Sequence, residues 1–287
     1  MTQAKQILEH GQHSSLSVVF GRIFLTAVFM GTGHPMGIEG PTVQIGIAFA
    51  TAVGHFVKIK RGQTMTTVAF IGCVAGIAAA FNTPIAAIIF AVEEFMTTIQ
   101  ISIITVLCSG SVVACLVVRS LLGNSFLLNM NNSPDVMDVV EWSRSESLDI
   151  VLKSMSIHIF IEAIIVGTLC GFFFSFSTKI MLSLRSATID IPLFIRLLII
   201  SLMCALLGSW SFMTTRQISV YGIGNESIRD SINHDFNFFQ FFSLTFAKQI
   251  AIIICNSLGG PGGMLSPALI VGGLWGGTIG HVLEMIS

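Results

Sequence analysis

Two glycine- and proline-rich stretches interrupt apolar parts of this chain, and one of them holds a carboxylate. The first reads Gly31-Thr-Gly-His-Pro-Met-Gly-Ile-Glu-Gly-Pro41, and the second reads Gly259-Gly-Pro-Gly-Gly-Met-Leu-Ser-Pro267. Each is followed by an apolar helical pattern rich in small residues. Proline in a first helical turn loses nothing, because its missing N–H would be unpaired there anyway. The free N–H groups around it carry the positive end of the helix dipole. Two such ends build an anion site without any cationic side chain. Transporters place broken helices of this kind in corresponding positions of two repeats. One such break alone reads as packing glycines; two of them, one holding Glu39, point to an anion site.

The other chemistry-bearing residues are sparser. Glu39 is either a capping carboxylate stabilised by the dipole or a functional acid, since ionisable groups at membrane depth are functional suspects. Glu93 and Glu94 end an apolar run, as solvated boundary residues or as a pair whose repulsion raises one pKa and suits proton relay. His158 and Glu162 share a helix face and read as a satisfied polar pair. His34 reads as a turn residue, and the phenylalanines of 236–246 as lipid-facing or core surface. Cys73, Cys108, Cys115, Cys170, Cys204 and Cys255 lie in or beside apolar stretches without ligand spacing. They read as packing residues, with no disulfide framework and no metal site.

The elements that must position these residues follow from the composition. The chain has 287 residues, 53% of them hydrophobic and 10% charged, with a mean hydropathy of +0.85. A soluble protein carries about 25% charged residues, so soluble enzymes, nucleic-acid binders and disordered proteins are excluded. The net charge of −1 leaves no basic field for nucleic acid. The pattern predicts a polytopic all-α membrane protein with apolar runs at 16–30, 43–57, 66–80, 85–95, 99–122, 150–184, 192–212, 238–258 and 264–286. Several are short for a bilayer, which asks for roughly 20 residues, and the run at 150–184 fits only if tilted. Residues 1–15 form a polar N-terminus without signal-peptide character, and 123–149 an extramembrane loop.

Three segments then carry a family resemblance. Gly37-Ile-Glu-Gly-Pro-Thr-Val-Gln-Ile-Gly46 resembles the GREGPxVQxG motif of the CLC chloride channel and transporter family. Ala79-Ala-Phe-Asn-Thr-Pro-Ile-Ala-Ala-Ile-Ile-Phe-Ala-Val-Glu-Glu94 resembles its AAFNAPLAGxxFxxEE stretch, and Gly260-Pro-Gly-Gly-Met-Leu-Ser-Pro267 its GxPGGxFxP motif. They stand in family order and spacing. Ile38 replaces the family's arginine, and Leu265 its phenylalanine.

The resemblance implies an inverted-repeat fold with broken helices and a chloride/proton antiporter, not an enzyme and without a cofactor. It makes Glu39 the gating glutamate and Glu94 the inner proton glutamate. Backbone N–H groups of Ile38, Gly40, Met264, Leu265 and Ser266 would hold the anion, in helix breaks shaped by Gly37, Pro41, Gly262, Gly263 and Pro267. The implied partners are chloride, protons, the lipid bilayer and, at full length, a second copy in a homodimer. The expected location is that of an integral multi-pass membrane protein, in the inner or plasma membrane if the source is bacterial. The alternatives are a passive chloride channel of the same fold and a non-transporting fragment. The family's upstream serine motif and downstream tyrosine helix have no counterpart here, because Tyr221 precedes the third motif. The expectation is therefore a partial transmembrane domain over 1–287, without a regulatory domain, that does not transport alone.

Overall fold

The computed structural model describes residues 16–59, 63–95, 101–123, 157–216, 220–224 and 237–286. The polar N-terminus expected over 1–15, the loop over 124–149 and the side chains of His158 and Glu162 lie outside them. The described residues form nine helices: α1 (Leu16–Gly31), α2 (Glu39–Phe56), α3 (Gln63–Phe81), α4 (Pro84–Phe95), α5 (Ile101–Leu122), α6 (Ile157–Ala187), α7 (Leu193–Thr215), α8 (Phe238–Ser257) and α9 (Leu265–Ile286). Five of them are long and apolar enough to cross a membrane. The fold is all-α, as the composition predicts.

The chain divides into two compact units. One comprises Met1–Phe29, Gly37–Leu127 and Pro261–Met264, and the other Met30–Met36, Leu128–Gly260 and Leu265–Ser287.

In the first unit, α3 packs against α2, α4 and α5. The α2–α3 contact is a backbone contact. A Cβ on Gly46 would run into the Gly72 carbonyl, one on Gly72 into the Gly46 carbonyl, and one on Gly76 into that of Thr42. Such glycines let membrane helices approach closely where apolar burial supplies no drive. Val43, Ile47, Cys73, Val74, Ala78, Ala87, Ala91 and Leu107 fill the surrounding core. The α3–α4 reversal turns on Asn82, at φ 55°, a left-handed conformation that asparagine tolerates. Pro84 then opens α4 at its first position. Arg119, in the last turn of α5, donates Nε–H to Asn82 Oδ1 at 2.8 Å. Asn82→Leu is expected to cost about 2 kcal/mol, from the left-handed backbone and the lost hydrogen bond to Arg119. Asn82→Gly, which keeps the turn, should cost about half as much. Thermal unfolding in detergent measures both.

In the second unit, α8 packs against α6, α7 and α9. Half of its span is buried, against 6% for α6 and 17% for α7, so α8 is the centre. Its polar side chains find partners inside. Trp275 donates Nε1–H to Gln249 Oε1 at 2.9 Å, and Gln249 donates in turn to Ser177 Oγ. The Trp275 ring stacks on Phe173 with centroids 4.0 Å apart. Lys248 is fully buried and donates Nζ–H to the carbonyls of Val220, at 3.0 Å, and Gly222, at 2.7 Å. Gly222 N–H donates to Gly33 O at 2.8 Å, and the Tyr221 ring covers Gly33 and Gly208. Tyr221 is thus a packing residue of this unit. The phenylalanines of α8 divide: Phe239 is exposed, Phe241 buried, and Phe246 meets Trp275. The many exposed large apolar side chains of α6 and α7 suit lipid rather than water.

Candidate functional site

The first break ends where α2 begins, at Glu39. Hydropathy alone starts this helix later, at Val43, because Glu-Gly-Pro reads as polar punctuation. The structure winds these residues into the first turn. Thr42 N–H closes the first turn onto Ile38 O at 2.9 Å, and Thr42 Oγ1 donates to Glu39 O at 3.0 Å. Pro41 contributes no N–H, and Ile38 at the N-cap provides no side-chain cap. The helix therefore presents its N-terminal dipole with Glu39 as the acidic residue of its first turn.

Glu39 is 1% exposed. Its carboxylate lies directly over two glycines. A Cβ on Gly37 would meet Glu39 Oε2 and Oε1 and stand 2.5 Å from Cδ, while one on Gly263 would meet Oε2 and stand 3.2 Å from Cδ. Only residues without a side chain leave this space to the carboxylate. Gly37 comes from the first break and Gly263 from the second. They pair as an isolated antiparallel bridge: Gly37 N–H donates to Gly263 O at 2.9 Å and Gly263 N–H to Gly37 O at 2.7 Å. A Cβ on Gly40 would stand 3.7 Å from Gly262 O and from the Gly263 backbone, an ordinary contact distance. Thr26 Oγ1 donates to Pro261 O at 3.2 Å, tying the second break to α1.

The structure thus brings Gly37, Glu39, Gly40, Gly262 and Gly263 together. Met264 follows the bridge and is partly exposed. Leu265 begins α9 in the next position, with Ser266 and Pro267 buried in its first turn. Glu93 and Glu94 are exposed in the last turn of α4 and do not join the cluster. His34 is buried in its turn, with Nδ1 2.9 Å from Thr32 Oγ1 and Nε2 3.4 Å from Ser201 Oγ. Sequence reasoning missed the bridge between the two breaks and the buried Lys248. The paired glycine runs signalled the first; nothing in the local pattern signalled the second. Among the described residues, no three of His, Cys, Asp and Glu gather as metal ligands would.

Known proteins share this architecture. The chain is 25% identical over 257 residues to the H(+)/Cl(-) exchange transporter ClcA of Vibrio campbellii, covering 90% of this chain and 51% of the relative. It is 22% identical over 258 residues to ClcA of Vibrio cholerae, covering 89% and 51%. The chain thus spans about half the length of these curated relatives. Among solved structures, a slow cyanobacterial Cl-/H+ antiporter matches with a TM-score of 0.65 at 21% identity, over 90% of this chain and 56% of that one. A CLC-type fluoride/proton antiporter matches with a TM-score of 0.65 at 21% identity, over 94% and 62%. The family model for voltage gated chloride channels matches residues 1–287. With its helices broken at the expected glycines and five of them of membrane-spanning length, the chain belongs to the voltage gated chloride channel family and is an integral, multi-pass membrane protein.

Proposed function

We propose that this chain, as part of a complete transport domain, moves chloride across the membrane in exchange for protons, with Glu39 as the gate. The observation that carries the reading is the buried Glu39 carboxylate, lodged at a helix N-terminus over the Gly37–Gly263 pair. A carboxylate held there stands in for the anion. It satisfies the positive end of α2 while ionised and loses that attraction when protonated. Chloride then takes the place, with the N–H groups of Ile38, Gly40, Met264, Leu265 and Ser266 as its donors. Binding and releasing the proton at Glu39 couples the two ions. Glu94, exposed in the last turn of α4, is the proton's second stop. Apart from the O–H bonds made and broken as the proton moves, no covalent bond changes in this cycle, and neither cofactor nor metal enters it. A homodimer in lipid is the proposed assembly.

The test is chloride-driven proton uptake into proteoliposomes. An outward chloride gradient is expected to draw protons inward. Chloride flux without proton movement would instead support the passive channel. Glu94→Gln is expected to stop proton movement and to leave part of the chloride movement. Unchanged coupling in that variant would make Glu94 a boundary residue only.

A further inference from the structure

Of the six cysteines, two have sulfurs that meet. Cys204 on α7 and Cys255 on α8 stand with Sγ atoms 3.5 Å apart and are 4% and 0% exposed. Both belong to the second unit, where α7 and α8 pack along each other. The other buried thiols have no such neighbour: Cys115, for example, donates its S–H to Ala78 O at 3.4 Å. Two thiols are weak hydrogen-bond partners for each other, so the contact adds little to packing. A covalent bond between them asks the sulfurs to close by roughly 1.5 Å, within reach of small side-chain rotations.

We propose that Cys204 and Cys255 are a modification site: an oxidisable thiol pair that a hydroperoxide converts to a disulfide joining α7 to α8. The slightly more accessible Cys204 sulfur attacks the peroxide oxygen. The O–O bond breaks, an alcohol or water leaves, and Cys204 becomes a sulfenic acid. Cys255 sulfur then attacks Cys204 sulfur, the S–S bond forms, and water leaves with the thiol proton. The two thiols lose two electrons in total, which the peroxide accepts. Neighbouring sulfur makes the second step intramolecular, which Cys73 and Cys115 cannot match. The link falls four residues before Gly259, so it tethers the end of α8 where the second break starts.

The test treats the protein in lipid nanodiscs with hydrogen peroxide or with cumene hydroperoxide. Remaining thiols are alkylated after denaturation, and the chain is mapped by mass spectrometry. The expected result is two of six thiols lost, a peptide linked through Cys204 and Cys255, and full reversal by dithiothreitol. Faster linkage by cumene hydroperoxide would identify lipid-phase peroxides as the source, and faster linkage by hydrogen peroxide the aqueous phase. Six alkylatable thiols after treatment, or crosslinks only through the exposed Cys108, would overturn the proposal. Cys204→Ala and Cys255→Ala should each abolish the linked peptide. The map of the unsubstituted protein decides the matter even if either variant fails to fold.

Discussion

Proton-coupled transport is expected to disappear in Glu39→Gln while chloride movement continues. The amide is close to the carboxylic acid in shape and carries no exchangeable charge, so the gate is fixed in its protonated form. Glu39 is buried at the head of α2, where no nearby acidic residue of the first turn can substitute for it. Gly37→Ala isolates the geometry from the chemistry, because the carboxylate stays and its seat is taken. The new methyl group would stand 2.5 Å from Glu39 Cδ, far inside contact distance, and the side chain must leave. Coupled proton movement should fall about tenfold or more, equivalent to about 1.4 kcal/mol of barrier. Simultaneous chloride efflux and pH recordings on proteoliposomes give both numbers. Wild-type coupling in Gly37→Ala would show that the position of the carboxylate over the glycine pair is immaterial.

The second large effect concerns α2 and α3, and its sign is the informative part. In an open helix, alanine for glycine stabilises by up to about 1 kcal/mol. Gly167, in α6, has nothing within 4 Å of its missing Cβ, so Gly167→Ala is expected to be neutral or mildly stabilising. At Gly72 a Cβ would meet the Gly46 carbonyl and stand 2.5 Å from the Ala50 Cβ. Backbone on a packed helix cannot yield as a side chain can. Gly72→Ala and Gly46→Ala are each expected to destabilise by about 3 kcal/mol, at the upper end of overpacking effects. The fraction surviving a temperature ramp as a monodisperse species in detergent measures this. Stabilisation at both positions would mean that the two helices do not approach as described.

The helix breaks were legible because glycine and proline mark them locally, whatever the rest of the chain does. Each apolar run became a helix, with ends displaced for physical reasons. α2 starts four residues ahead of its apolar run, since a first turn can be built from Glu, Gly and Pro. The described part of the long run at 150–184, from Ile157, became α6, which continues through Arg185 to Ala187. At 31 residues this helix is roughly 46 Å long, against about 30 Å of hydrocarbon, which supports the expectation of tilt. What stayed hidden was every partnership between distant segments. The glycine runs marked both breaks, but nothing in them says that Gly37 pairs with Gly263. Lys248 sits in an apolar run with no acid at helical spacing, and its partners are carbonyls, which any sequence possesses. Cys204 and Cys255 read as packing residues individually and reveal their meeting only in three dimensions.

The Gly37–Gly263 bridge also dictates a schedule for biosynthesis. A ribosome working at about 5–20 residues per second needs roughly 10–45 seconds to proceed from one glycine to the other. Throughout that interval the N–H and C=O of Gly37 lack their ladder partner, at a point in the chain bordered by apolar helices. A peptide group left bare in hydrocarbon costs several kcal/mol. The nascent α1–α2 segment is therefore disfavoured from settling in lipid, and is held in the insertion machinery or a hydrated defect until the second break emerges. On this argument the first helices are expected to reach their final depth only after Gly263 has been synthesised.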